Sequence, residues 1–394
     1  MTAEPWARLG GQVLEWDTGA AARTGPPALV TQVGRSFQLG HPEVPVLLDH
    51  GRHLVIVTPA DGVAVLEEPG EHLHWRVEPL PAGTVVVDRP RSVARETEPV
   101  TSGLVAQLSQ QSFEQDLAFL AGLPTRHSLS AGFRQAADRT SEQLTDLGFA
   151  VTRPSITVNA GTSSNVVADR PGSGTGDRGV VLVTAHLDSI NIPGGPTARA
   201  PGADDNGSGA AGVLELARVL GGQAWQQDLR VILFGGEEEG LFGSRQYVAG
   251  LSGAERSRIR AVLNLDMVGS LNTAAPTVLL EGAALSTQMI DDLAAAAATY
   301  TDLVVETSLH PFASDHVPFI DARIPAVLTI EGADSANGNI HSDRDVLATV
   351  TPELALRILA MDLAALAGWL RAAEAGPDGQ NKRADGSSVP LSPA

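Results

Sequence analysis

Residues 180–189 have the sequence V-V-L-V-T-A-H-L-D-S, and this stretch decides the fold class. Its first six residues form an apolar, β-branched run, which predicts a strand buried on both faces. The polar residues His186, Asp188 and Ser189 follow where that strand is expected to end. In a parallel sheet covered by helices, functional groups concentrate just beyond the carboxyl ends of the strands. The stretch therefore predicts both a covered sheet and the edge where its site lies.

Similar strands alternate with helical patterns on both sides of this stretch. The predicted strands are 164–168, 180–185, 229–234, 261–266 and 326–330, and the predicted helices are 210–220, 286–300 and 352–369. Apolar strands that alternate with helices predict an α/β domain. We expect a mixed, mostly parallel central sheet flanked by helices over residues 99–375.

The N-terminal part of the chain has a different pattern. Short β-like runs at 54–58, 63–66, 73–77 and 84–87 are separated by turn residues. We expect a small all-β module and its linker over residues 1–98. Two roles stay open for it, a surface for homo-oligomerisation or gating and a lid that admits short peptides. Residues 376–394, rich in Gly, Pro, Ser and charge, are predicted to be a disordered tail.

Composition excludes several classes of function. With 27 basic and 46 acidic residues among 394, the net charge of −19 disfavours binding to nucleic acid or to an anionic membrane. The absence of cysteine excludes disulfides and thiolate zinc sites, so any metal must be held by His, Asp or Glu. No apolar run suggests a membrane span and the start shows no export signal. We therefore expect a cytoplasmic location, with secretion as the alternative.

Acidic residues and histidines recur at the predicted strand ends. The sequence G-G-E-E-E-G at 235–240 follows one strand, Asp266 ends another, and G-A-D-D-N-G-S-G at 202–209 leads into a helix. I-H-S-D at 340–343 lies near the end of the domain. Such nitrogen and oxygen donors suit zinc, manganese or cobalt. The aspartates at 204 and 205 could also simply cap the helix that follows.

Taken together, these motifs resemble the two-zinc aminopeptidases of the bacterial leucyl aminopeptidase type, relatives of glutamate carboxypeptidase and the transferrin receptor. The resemblance covers about residues 105–372. It is carried by L-P-T-R-H-S at 123–128, H-L-D-S at 186–189, G-A-D-D-N-G-S-G at 202–209, E-E-E-G-L-F-G-S at 237–244, N-L-D-M at 264–267, S-D-H at 314–316 and I-H-S at 340–342.

The resemblance implies a role for each matching residue around two Zn²⁺ ions, with Mn²⁺ or Co²⁺ as alternatives. It makes Asp205 the carboxylate that bridges the metals. His186 and Asp266 would complete one metal site, and Glu238 and His341 the other. Glu237 would be the general base. Asp188 would orient His186 from behind.

One departure concerns the oxyanion of the reaction. Members of the family commonly stabilise it with a tyrosine, but Tyr247 and Tyr300, the two tyrosines of this chain, lie outside the matching motifs. His310 is the substitute that we expect, through its ring N–H. A pocket for the first side chain of the substrate is expected from apolar residues that flank the ligand motifs: Met267, Phe312, Phe319 and Ile340.

The resemblance implies an aminopeptidase that hydrolyses the N-terminal bond of peptides, with preference for an apolar first residue. A carboxypeptidase or another amide hydrolase on the same dizinc scaffold is the alternative. It would need basic residues to bind a carboxylate, for which Arg323 and Arg344 are candidates. A non-catalytic, receptor-like scaffold is the alternative from another class.

Overall fold

The computed structural model describes residues 6–9, 11–15, 25–59, 61–66, 74–90 and 92–371. The predicted tail at 376–394 lies outside these residues. The strands are β1 (Trp6–Leu9), β2 (Gln12–Glu15), β3 (Pro27–Gln32), β4 (Val46–His50), β5 (His53–Val57), β6 (Trp75–Pro79), β7 (Thr84–Val87), β8 (Ala150–Thr152), β9 (Ser155–Val158), β10 (Gly161–Ser164), β11 (Val166–Arg170), β12 (Val180–His186), β13 (Asp228–Phe234), β14 (Ile259–Leu265), β15 (Thr277–Glu281), β16 (Val304–Ser308) and β17 (Ala326–Glu331). The helices are α1 (Ser36–Gly40), α2 (Pro99–Val105), α3 (Gln110–Gly122), α4 (Ala131–Asp146), α5 (Gly209–Gly221), α6 (Phe242–Gly250), α7 (Gly253–Arg258), α8 (Thr287–Tyr300), α9 (His316–Asp321) and α10 (Pro352–Arg371).

Eight strands form one mixed sheet in the order β16-β15-β17-β14-β12-β13-β11-β8. The four central strands β17, β14, β12 and β13 run parallel, and so do β15 and β16. Every residue of β12 is buried, because alternate side chains enter the hydrophobic cores on opposite faces of the sheet. The predicted fold class, mixed α/β with a mostly parallel central sheet and a small all-β part, is confirmed.

Helices cover both faces of this sheet. Leu214 of α5 and Leu359 of α10 belong to the core on one face. Val248 of α6 and Phe319 of α9 belong to the core on the other face. Because both faces are covered, polar groups gather at the strand ends rather than on the sheet itself. No helix within the described residues has the length and apolarity needed to cross a membrane.

The N-terminal strands form two small sheets. An antiparallel sheet has the order β4-β5-β3-β6, and a second sheet has the order β2-β1-β7. The predicted strand at 63–66 is wrong, since these residues form a 3₁₀ turn. Leu66 is buried there and its carbonyl accepts a hydrogen bond from the Trp75 indole at 2.8 Å. A four-residue apolar run fits a strand and a single buried turn equally well, so periodicity could not decide between them.

Candidate active site

The predicted metal ligands and base lie along one edge of the central sheet. His186 is the last residue of β12, and Asp266 directly follows β14. Glu237 and Glu238 lie in the turn after β13. Asp205 lies in the irregular turn at Ala203–Ser208 that leads into α5. Since β12, β13 and β14 are parallel neighbours, their carboxyl ends bring these residues together.

The carboxylate of Asp205 lies between two histidines. Its Oδ1 is 3.3 Å from Nε2 of His186, and its Oδ2 is 3.0 Å from Nε2 of His341. Nε2 of His186 also lies 3.3 Å from Oδ1 of Asp266, and Nε2 of His341 lies 3.0 Å from Oε2 of Glu238. The structure therefore brings the five expected ligands into one cluster, with Asp205 at its centre.

Glu237 belongs to the same cluster. One of its carboxylate oxygens and the ligand atoms of His186 and Asp266 all lie within 4.8 Å of one another. His186, Asp205 and Glu238 form a second group of the same size. Distance alone therefore does not separate the expected base, Glu237, from the expected ligands.

The cluster holds more negative charge than a buried site can carry easily. Burial raises the pKa of Glu237 well above its usual value, and the neighbouring Asp266, Asp315 and Glu238 add to that rise. Burial would by itself lower the pKa of His186, but Asp266 and Glu237 raise it well above the ordinary value instead. A divalent cation would neutralise these carboxylates without their taking up protons.

The chemistry of the donors fits zinc. All the groups are nitrogen or oxygen donors, and all of them are buried except His341, which is partly buried. Within the described residues, Nδ1 of His186 and Oε1 of Glu238 are buried without a hydrogen-bond partner. A buried polar atom without a partner is costly, so a Glu238 carboxylate with a free oxygen is well suited to a metal ligand.

Asp188 contacts two members of the cluster from behind. Its Oδ1 lies 3.7 Å from Nδ1 of His186, and its Oδ2 accepts a hydrogen bond from the backbone N–H of Glu238 at 3.0 Å. The expected placement behind His186 is what the structure shows, and the link to Glu238 is an addition that the sequence did not indicate.

Asp345 is a residue of the site that sequence reasoning missed. Its two carboxylate oxygens accept the backbone N–H groups of Asp204 and Asp205, each at 2.9 Å. It thereby fixes the backbone that carries the central carboxylate. Its position four residues after His341 could have indicated a role at the site, but one acidic residue in an acidic loop cannot be distinguished from its neighbours by sequence.

Arg126 of the L-P-T-R-H-S motif is a second residue whose role was missed. Its guanidinium is fully buried and donates to the carbonyls of Leu187 at 2.8 Å and Gly202 at 2.9 Å. These carbonyls belong to the segments that carry His186 and Asp205. Arg126 therefore ties the two segments together, which the motif alone could not reveal.

The expected pocket residues lie in different places. Met267 lines the cavity beside the metal cluster. Ile340 packs against the small hydrophobic core to which Met267 belongs. Phe312 places its ring under the guanidinium of Arg76, at 5.2 Å. Phe319 is a correction, because it is fully buried with Phe234 in the core beneath the sheet. Its place on α9 turns it away from the cavity.

His310 is the other correction. It is not among the residues that line the cavity, and it neighbours Glu78, Arg76 and Val85 of the N-terminal strands instead. An oxyanion donor must face the reacting carbonyl, so this placement does not fit the expected role. Arg323 and Arg344, the residues considered for a carboxylate clamp, do not line the cavity either.

The cavity at the cluster has a volume of about 40 Å³. Its lining includes residues from both parts of the chain: Val33, Arg52, His74, His186, Asp205, Glu237, Glu238, Asp266, Met267, Ala313, Ile330, Asp334 and His341. Val33, Arg52 and His74 come from the N-terminal strands and their turns. The sequence leaves a gating or lid role open for this part of the chain, but it does not indicate which of its residues reach the site.

Comparison with known proteins relates this chain to a family of peptidases. The sequence profile of peptidase family M28 matches residues 165–366. Leupeptin-inactivating enzyme 1 of Streptomyces exfoliatus is 34% identical over 213 residues, which are 52% of this chain and 44% of that protein. Aminopeptidase YwaD of Bacillus subtilis is 35% identical over 176 residues, 45% of this chain and 35% of its own length. The chain thus spans less than half the length of these two relatives.

A solved structure shows the fold over a longer stretch. The crystal structure of Legionella pneumophila LapA aminopeptidase superposes with a TM-score of 0.62 and covers 88% of this chain and 99% of that one. The two sequences are 18% identical, so the likeness concerns the fold.

Proposed function

Because this chain belongs to peptidase family M28, we propose that it is a zinc-dependent aminopeptidase that removes the first residue of peptides. The observation that carries the proposal is the position of Asp205 between His186 and His341, with one carboxylate oxygen toward each. A carboxylate so placed is suited to bridge two metal ions. His186 and Asp266 would hold one ion, and Glu238 and His341 the other.

The names of the relatives support the same activity. One is an aminopeptidase and another inactivates leupeptin, a name that also fits action on a small peptide-like molecule. The carboxypeptidase alternative is weaker, since Arg323 and Arg344 do not line the cavity and Arg52, which does line it, is paired with Glu281 and Asp334.

Within this proposal, Glu237 moves the proton. Zinc held by these residues would lower the pKa of a bound water and polarise the carbonyl of the substrate. The Glu237 carboxylate accepts a proton from the attacking water and returns it to the leaving amine. The acidic cluster also suits the cationic amine of a free N-terminus.

The test compares substrates that differ only at the amine. Zinc-loaded protein is assayed with the p-nitroanilides of alanine and leucine and with their N-acetylated forms. We expect cleavage of the free-amine forms alone and its loss after chelation. Cleavage of the acetylated forms, or turnover that survives complete removal of metal, would contradict the proposal.

The apolar wall of Met267, Ala313 and Ile330 supports a preference for an apolar first residue.

A further inference from the structure

The N-terminal strands contribute a wall of the cavity at the metal cluster. Val33 follows β3, Arg52 lies in the turn between β4 and β5, and His74 precedes β6. Three separate segments of the N-terminal part therefore reach the same cavity. The wall that they form faces the ligands and the apolar residues Met267 and Ile330.

Buried ion pairs fix this wall to the α/β domain. Arg52 is 3% exposed and donates through Nε and Nη2 to the two carboxylate oxygens of Glu281, at 3.0 and 3.3 Å. Its Nη1 donates to Asp334 at 3.3 Å, and its Nη2 also donates to the carbonyl of Phe312. Moving the turn away would take the arginine from two buried carboxylates, which is strongly unfavourable. The wall is therefore a fixed part of the site rather than a loose cover.

A second set of contacts holds the wall at its other end. His50 and Arg89 both reach Glu306, at 3.0 and 2.8 Å. Asp88 and Thr307 exchange backbone hydrogen bonds, each at 2.9 Å. The N-terminal strands are thus attached at several points along β15 and β16.

Val33 is the apolar residue of this wall. It is partly buried and lies beside Gly34, where an added Cβ would be 3.3 Å from Cδ1 of Ile340. Ile340 directly precedes the expected ligand His341. The backbone at Gly34 therefore lies close to the Ile340 side chain, and the neighbouring Val33 lines the cavity beside the cluster.

The cavity of about 40 Å³ lies between the expected ligands, where the two ions would be held. The first side chain of a substrate would therefore lie beside the ligands, against the apolar residues Val33, Met267 and Ile330. One methylene more or less in such a wall changes how well a side chain fits.

We propose that the N-terminal strands form a fixed wall of the substrate pocket, in which Val33 restricts the size of the first residue of the substrate. The inference rests on the proposed aminopeptidase function and adds a specificity-determining residue to it. It gives the N-terminal part of the chain a role in substrate choice.

The experiment measures the ratio of kcat/KM for alanine p-nitroanilide to that for leucine p-nitroanilide. The zinc-loaded wild type is compared with Val33→Ala, Val33→Leu and the control Val65→Ala, which alters an exposed valine of the same region. We expect Val33→Ala to lower the ratio by about tenfold, the effect of a methylene or more in an apolar pocket. Val33→Leu is expected to lower kcat/KM for alanine p-nitroanilide relative to that for glycine p-nitroanilide. Val65→Ala is expected to keep the wild-type ratio.

Binding provides a readout that needs no turnover. Calorimetric titration of the zinc-loaded proteins with alanine and leucine hydroxamates is expected to show the same change in preference. A Val33→Ala ratio within twofold of wild type in both measurements would overturn the inference. Absence of cleavage of all free-amine substrates would overturn the proposed function instead, and hydroxamate binding would still report on Val33.

Discussion

Asp345 shows how much a single side chain contributes to the site without touching the expected metal positions. It accepts the backbone N–H groups of Asp204 and Asp205 and so sets the direction of the central carboxylate. We predict that Asp345→Ala weakens zinc affinity by roughly 10–100-fold, as loss of a group that orients a ligand does. Competition with a chromophoric chelator measures this.

The control for Asp345 is Asp343→Ala in the same loop. Asp343 is exposed, so its removal changes the charge of the loop but not the support of Asp205. Equal zinc affinities for the two variants would show that Asp345 has no positioning role.

Glu237 is the residue whose loss should separate binding from turnover. We predict that Glu237→Gln keeps its zinc but loses about 10²–10⁴-fold in kcat, because an amide cannot accept the proton of the attacking water. Metal content by atomic absorption and kcat with alanine p-nitroanilide test this. A variant that loses metal in proportion to activity would identify Glu237 as a ligand, a role that its distance from His186 and Asp266 also permits.

At the scale of elements, helix α10 contains a buried acid. Asp362 is fully buried, its Oδ2 accepts from Thr329 at 3.3 Å, and burial raises its pKa well above the ordinary value. The folded protein therefore holds a proton that the unfolded chain releases near pH 3.9. The stability from this group is complete below that pH and is lost as the pH rises toward the folded pKa.

We predict that Asp362→Asn, which cannot ionise, makes the free energy of unfolding less dependent on pH between pH 5 and 8. The increase in the free energy of unfolding of Asp362→Asn relative to wild type should be larger at pH 8 than at pH 5. Urea denaturation at both pH values measures it, with Asp146→Asn on the exposed end of α4 as the control. An equal effect of Asp362→Asn at both pH values would contradict the raised pKa.

The turn between β4 and β5 is held by buried charge. We predict that Arg52→Met lowers the free energy of unfolding by about 3–5 kcal/mol, because it leaves Glu281 buried without its arginine. Arg35→Met, which removes an exposed pair with Asp49, should cost about 0–1 kcal/mol. Urea denaturation compares the two, and a similar small loss in both would mean that the N-terminal strands are only loosely attached.

At the scale of the whole molecule, metal binding and folding are coupled through the acidic cluster. We predict that removal of zinc lowers the midpoint of thermal unfolding, since the buried carboxylates then lack a counter-ion. Zinc at 1,000 times its Kd should restore about 4 kcal/mol of stability. Differential scanning fluorimetry with and without chelator tests this, and unchanged midpoints would argue against a metal at this site.

Homo-oligomerisation through the N-terminal strands stays a prediction.

The sequence by itself determined the covered sheet and the residues of the cluster. Buried strands such as residues 180–185 have a local signature, because a strand covered on both faces must be apolar throughout. The polar residues after each strand could be located for the same reason, since the carboxyl ends of parallel strands meet at one edge. His186 and Asp266 were found in this way, whereas the role of Asp205 was implied by the family resemblance of its motif.

Only the tertiary structure decided which other residues reach that edge. Arg52 and Val33 line the cavity although more than 130 residues separate each of them from His186 in sequence. Phe319 and His310 lie near the ligand motifs in sequence, but α9 and the N-terminal strands direct them elsewhere. The physical reason is that periodicity reports only whether a side chain is buried, whereas its neighbours depend on how distant segments pack against each other.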